Sequence, residues 1–271
     1  MKDIRALVFD FGGTLDGNGI HWLERTYQFI QERHPEITRE AFDEADKATI
    51  TEFAFGDSSI EWSYQEAVST VASRLRKQDS SIKLSYQDGS MLPIGAVASE
   101  YAARCTLRET AEAIAVGIYR RLGLSEKMKD AYVDWFCEGA AKSLAENRRW
   151  LETLHDTYQL AVISNNFGNT RGWCDEYGLS PLLEVIIDST VLGIAKPDAR
   201  IFEAALSELG VMPNQAIYVG DSYPADMVGG KNAGMWTAWL VGDQMKPCPD
   251  PSVVDVQLTH LHELTGFLDE E

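Results

Sequence analysis

The run Ala6-Leu7-Val8-Phe9 is apolar and β-favouring and stops at a carboxylate, Asp10, with Gly12, Gly13 and Thr14 directly behind it. A short apolar run without alternation predicts a strand buried on both faces, as in the centre of a parallel sheet. The same punctuation returns later in the chain. Leu160–Ile163 lands on Ser164-Asn165-Asn166, and Ala216–Val219 lands on Gly220-Asp221-Ser222. Leu183–Ile187 and Trp236–Val241 supply two further strand candidates, and a helix over Arg200–Leu209 ending at Gly210 lies between strands. Strands alternating with helices predict a parallel sheet joined by right-handed crossovers. Such a sheet gathers its ligands at the carboxyl ends of its strands.

Between Gly19 and Leu144 the period changes from strand to helix. Trp22, Leu23, Tyr27 and Ile30 share one helical face, which predicts a helix over His21–Arg33 closed before Pro35. A second helix is predicted from Thr38, with Phe42, Ala45 and Ile50 inward, and a third over Trp62–Leu75. The polar segment Lys77–Gly95 reads as a loop. Helical pattern resumes over Val97–Leu122 and Lys127–Leu144, and Trp150–Leu154 closes another helix. The expected organisation is therefore an α/β, Rossmann-like core from residues 1–17 and 145–271, with an all-α cap inserted over 18–144.

Asp10, Ser164, Lys196, Asp221 and Asp226 fall at or just beyond strand ends, so the sheet converges them. A carboxylate can act as nucleophile, and a hydroxyl and a lysine can hold phosphoryl oxygens. Further carboxylates suit Mg²⁺, a cation that prefers oxygen ligands. Formal charge is −18, so nucleic acid and anionic membranes, which both reward basic patches, are excluded as expected partners. Cys105, Cys137, Cys174 and Cys248 are widely spaced, which predicts free thiols in a reducing compartment. With no leader read before the first strand and no membrane span, the expected location is cytoplasmic.

Four segments in order resemble the haloacid dehalogenase-like superfamily of hydrolases: Asp10-Phe11-Gly12-Gly13-Thr14, Ser164 after its strand, Lys196-Pro197-Asp198, and Gly220-Asp221-Ser222-Tyr223-Pro224-Ala225-Asp226. The stretch Ile194–Met235 is similar to the phosphatase branch, and the helical insert matches the cap placed between the first two motifs. The resemblance implies a small phosphorylated metabolite as substrate and an aspartyl-phosphate formed on Asp10. It implies that Thr14, Ser164 and Lys196 act with Asp10 in catalysis, that Gly13 and Asn165 contact substrate, and that Asp10, Asp221, Asp226 and the carbonyl of Gly12 serve Mg²⁺.

At Gly12 the chain departs from the pattern, which places a second aspartate there as general acid and then base. Losing a positioned acid/base costs about 10²–10⁴ in rate. Substrates with good leaving groups, acyl phosphates or sugar-1-phosphates, are the expected consequence, with Asp16, Asn18 and His21 as candidate helpers. Two alternatives stand beside this reading: a metal-free 2-haloacid dehalogenase, which also lacks the second aspartate, and a catalytically weak module that binds a phosphorylated ligand. Ala225 replaces a frequent asparagine. Trp22, Trp62, Tyr64, Trp135 and Phe136 are read as packing residues, Arg104 and Arg108 as a solvated pair, and His260 and His262 as a surface strand or helix start.

Overall fold

The computed structural model describes residues 3–55, 102–243 and 247–269. Six parallel strands form one sheet: β1 (Ala6–Phe9), β2 (Gln159–Ser164), β3 (Val185–Asp188), β4 (Ala216–Gly220), β5 (Trp236–Leu240) and β6 (Val256–Leu258), in the order β3-β2-β1-β4-β5-β6. The chain winds outward from β1 to β3, then returns to β4 on β1's other side. The switch point therefore lies between the carboxyl ends of β1 and β4, where an open α/β sheet leaves a crevice.

Each residue of β1 is fully buried, and their pleat divides the core in two. Leu7 and Phe9 join Leu160, Val162, Ile217 and Val219 on one face. Ala6 and Val8 join Ala161, Ile163, Ala216 and Tyr218 on the other. Truncating a buried Leu or Phe here costs about 2–5 kcal/mol, because its neighbours cannot close the cavity. Strands covered on both faces need no polar alternation, which is why their sequence is continuously apolar.

Between β1 and β2 the described residues hold only helices and turns: α1 (Trp22–Gln31), α2 (Arg39–Phe55), α3 (Leu107–Arg121) and α4 (Lys129–Leu154). α3 begins later than its apolar pattern because Thr106 and Glu109 form a reciprocal cap there. α4 is continuous over 26 residues, so the two helices predicted at Lys127–Leu144 and Trp150–Leu154 are one. The boundary expected after Leu144 falls inside it. Tyr132, Val133, Phe136, Ala140, Leu144, Leu151 and Leu154 recur along its buried stripe. The predicted helix at Trp62–Leu75, the loop at Lys77–Gly95 and the side chains of Trp62 and Tyr64 lie outside the described residues.

After β2 come α5 (Thr170–Glu176), α6 (Ser189–Leu192), α7 (Ala199–Leu209), α8 (Val228–Asn232) and α9 (Leu264–Asp269). α7 packs Ile201, Phe202, Ala205 and Leu206 on the Val8 face and closes at Gly210 as predicted. The sixth strand is new. It spans three residues at the sheet edge, too short to show a periodicity.

Arg108 makes an exposed ion pair with Asp134. His260 caps the turn Leu261–Glu263, and His262 stacks on Trp150 at 5.0 Å. None of the four cysteines is in a disulfide, and only Cys248 is not buried. Among the described residues no helix is long and apolar enough to cross a membrane.

Candidate active site

Asp10 leaves β1 with its N–H bonded to the Val219 carbonyl of β4, 2.9 Å away. The residue is 7% exposed, and its carboxylate meets Lys196 Nζ at 2.8 Å. The same ammonium donates to Asp226 Oδ1 (2.7 Å) and to the Tyr218 hydroxyl (2.9 Å). All three lysine protons are thereby aimed, and the charge stands between two carboxylates. Tyr218 was not singled out from sequence. It sits inside an apolar strand, and only the strand's twist brings its hydroxyl to Lys196 and, as donor, to the Ile163 carbonyl at 3.1 Å.

Asp221, just beyond β4, accepts from the Thr14 hydroxyl at 3.2 Å. Its carboxylate packs so tightly on the turn after β1 that a Cβ at residue 13 would lie 2.5 Å from Oδ2. Gly13 also has φ +86°. Both the conformation and the contact require glycine. Asp226 is fully buried and accepts from the Ser222 N–H at 2.9 Å.

One oxygen each from Asp10, Asp221 and Asp226 lies within 4.8 Å of the others. Burial drives Asp10 up to about 7, with Lys196 opposing and Asp226 adding to the rise. Burial, then the charge of Asp10, likewise holds Asp221 well above the carboxylate range. Three clustered carboxylates against one lysine are short of positive charge. An oxygen donor set with that deficit fits a divalent cation such as Mg²⁺.

Ser164 ends β2 and is 4% exposed. Its hydroxyl has no partner among the described residues and borders a cavity of about 250 Å³. That cavity is lined also by Gly12, His21, Trp22, Asn165, Phe167 and Trp173. A second cavity, about 310 Å³, opens between His21 and Asp221.

Two expected substrate contacts are otherwise engaged. Gly13 donates its N–H to Asp16 Oδ1 at 2.6 Å, which leaves no proton there for a phosphoryl oxygen. Asn165 spends its side-chain amide on the backbone of Lys196, accepting from N at 2.8 Å and donating to O at 3.0 Å. It borders the cavity, but its amide positions the lysine. Asp188 was missed. It ends β3 and binds the backbone N–H groups of Gly168, Thr170 and Thr190 at 2.9–3.1 Å, shaping the loop that carries Asn165. An apolar strand ending on an acid was the available signal.

The candidate helpers around Gly12 are also committed. Asp16 is fully buried and accepts from Gly13, from Trp22 Nε1 (2.5 Å) and from Arg25 (2.7 Å). Asn18 donates to Ser143 at 3.4 Å. His21 caps α1 by accepting from the Leu23 N–H at 3.2 Å through Nδ1, an arrangement that puts the neutral ring's proton on Nε2. Loss of water in the cleft, opposed by Asp16, holds the imidazole below its usual value. In that state His21 is a hydrogen-bond donor with no free lone pair.

A family model described as haloacid dehalogenase-like hydrolase matches residues 4–234. The chain belongs to the haloacid dehalogenase-like hydrolases. Among curated relatives, it is 28% identical over 120 residues to the pyrimidine 5'-nucleotidase YjjG of Escherichia coli, which is 44% of this chain and 53% of that one. It is 34% identical over 90 residues to a glyceraldehyde 3-phosphate phosphatase of Methanothermobacter thermautotrophicus (32% and 39%). The same identity and length relate it to the phosphoserine phosphatase of Thermus thermophilus (32% and 36%). The matches thus span about half or less of these relatives. Similar solved folds include a dehalogenase (TM-score 0.55, 19% identity, all of both chains) and a family phosphatase from Thermococcus onnurineus (TM-score 0.51, 19%, 99% of both). Both branches share this fold, so the fold does not choose between them.

Proposed function

We propose that this family member is a Mg²⁺-dependent phosphatase of small phosphorylated metabolites, using Asp10 as nucleophile. The observation that carries the reading is the cluster of Asp10, Asp221 and Asp226 around Lys196. A metal-free displacement of halide needs one carboxylate nucleophile and gains nothing from two more buried acids beside it. Relatives named as phosphatases support the same choice.

Asp10, Asp221, Asp226 and the carbonyl of Gly12 would hold Mg²⁺, which neutralises phosphoryl and carboxylate charge when bound. A carboxylate oxygen of Asp10 attacks phosphorus, forming the O–P bond while the ester bond breaks and its electron pair leaves on the leaving oxygen. Lys196 fixes the orientation of Asp10 and offsets its charge, Thr14 holds Asp221 in place, and the Ser164 hydroxyl donates to a phosphoryl oxygen. Water then cleaves the aspartyl-phosphate, returning the carboxylate and releasing phosphate.

No acid stands at Gly12, Asp16 and Asn18 are held by other bonds, and neutral His21 offers a hydrogen bond through Nε2–H but no acidic proton. The leaving oxygen must therefore depart as a stable anion or take its proton from water. That favours acyl phosphates and sugar-1-phosphates over alkyl esters. Such metabolites, in the cytoplasm, are the expected partners.

Hydrolysis of p-nitrophenyl phosphate with Mg²⁺, lost on chelation and on Asp10→Asn, is the expected result. Chloride release from a 2-haloacid without metal would select the dehalogenase instead. Phosphate-ester binding without turnover in either assay would select the binding module.

A further inference from the structure

From Gly12 and Ser164 the cavity extends to α2 and α3, where Asp46, Ile50 and Ile114 line it. Asp46 is half-buried. No hydrogen bond or ion pair reaches its carboxylate from the described residues. The nearby cation, Arg39, is already bonded to Glu24 at 2.7 Å and Asp43 at 2.8 Å. Burial, reinforced by Asp43 and opposed by Arg39, lifts Asp46 to about 6. An anion half-shielded from water and without a partner is less favourable than a paired one, and α2 could have carried an apolar residue at this position.

The remaining wall explains what would satisfy it. Trp22 and Trp173 stack at 5.4 Å with their planes 10° apart, and Phe167 lies against Phe53. Among the described residues no lysine or arginine lines the cavity. A cavity with an aromatic wall and one unpaired carboxylate, and no cation among its described residues, suits an ammonium group. A neutral hydroxyl would supply one hydrogen bond and leave the charge uncompensated.

We propose that the cavity accepts a leaving group bearing a protonated amine, with Asp46 as its counter-ion, so that the substrate is an amino-substituted acyl phosphate or an amino-sugar 1-phosphate. This rests on the phosphatase reading, which places the phosphoryl group at the Gly12 and Ser164 end. Asp46 is then a specificity residue. It takes no part in bond breaking, and its effect is on which ester binds.

The test compares glucosamine 1-phosphate with glucose 1-phosphate on the wild-type protein and on Asp46→Asn; the 2-ammonium group also makes the anomeric oxygen a better leaving group, so the readout is the change in their ratio between the two proteins. The wild type should prefer the amino ester by about ten- to a hundredfold in kcat/KM, the range of one charge-assisted hydrogen bond. In Asp46→Asn that ratio should fall by about ten- to a hundredfold, leaving only the amine's own effect on the leaving oxygen. N-acetylglucosamine 1-phosphate, whose nitrogen is uncharged, should lose the preference on the unaltered protein, which keeps the test open should the variant misfold. Equal kcat/KM for the two sugars on the wild type, or a ratio unchanged in Asp46→Asn, overturns the inference while turnover of p-nitrophenyl phosphate leaves the phosphatase reading standing. If no phosphate ester is hydrolysed, the phosphatase reading is what has failed. The ratio of calorimetric Kd values for the two sugar phosphates then decides for or against Asp46 by the same criterion.

Discussion

Placing an acid back at position 12 tests the central chemical claim. Gly12 has φ −75° and ψ 119°, a conformation open to any L-residue, so Gly12→Asp introduces no backbone strain. A Cβ there would meet only Trp22 Cδ1 and Nε1, both at 3.8 Å, which is ordinary contact. The position also borders the cavity where the leaving group would sit. A positioned acid is worth about 10²–10⁴ in rate, or roughly 3–5.5 kcal/mol at about 1.36 per decade. The gain applies only where the leaving oxygen needs a proton. Steady-state kcat/KM should therefore rise by about 10²–10⁴ for an alkyl phosphate and change little for p-nitrophenyl phosphate. The added carboxylate will also compete for Trp22 Nε1, now bonded to Asp16. Gly12→Asn, equal in bulk and unable to transfer a proton, separates that disturbance from catalysis. The reasoning fails if the alkyl-to-aryl ratio of the folded Gly12→Asp protein matches wild type, or if Gly12→Asn raises it equally.

Three further outcomes follow from the geometry. Asp16→Asn strips the counter-charge from buried Arg25 and should cost about 3–5 kcal/mol; a urea-unfolding loss under about 1 kcal/mol would contradict the assigned role. Gly13→Ala forces a methyl group into the Asp221 carboxylate, so Mg²⁺-dependent activity should fall to background in a protein whose circular dichroism is unchanged; substantial activity would show that the turn can relax. Asp46 ionises at about 6 in the fold against the usual 3.8, so its contribution to stability is full below about 3.8 and lost as pH rises through about 6. Asp46→Asn should melt above wild type near pH 7.5, with the gap closing near pH 4; an equal gap at both would refute it.

The strands and the residues at their tips were legible because burial on both faces leaves an unbroken apolar run, and an acid or serine after such a run stands out. What the site does with Gly13, Asn165 and Tyr218 was not legible. Whether an amide faces ligand or a lysine's backbone depends on how two loops 31 residues apart meet, and sequence carries no term for that. Tyr218 was hidden by its strand, where an aromatic residue reads as packing. Asp16 was visible as a titratable group beside the motif, but the partners that remove it from acid/base work, Trp22 and Arg25, come from the next helix. α4 appeared as two helices because polar residues such as Glu146 and Arg148 interrupt the apolar stripe without interrupting the backbone.

That uninterrupted helix has a mechanical meaning. At about 1.5 Å per residue, the 26 residues of α4 make a rod of roughly 39 Å. Its outer part packs Tyr132 and Phe136 against α1. Its inner end sets Trp150 edge-on to Phe9, 6.0 Å away and next in sequence to Asp10. Trp22, which lines the cavity beneath α2, packs on Phe136 of this same helix. One unbroken rod therefore joins the cavity wall to the strand that ends at Asp10.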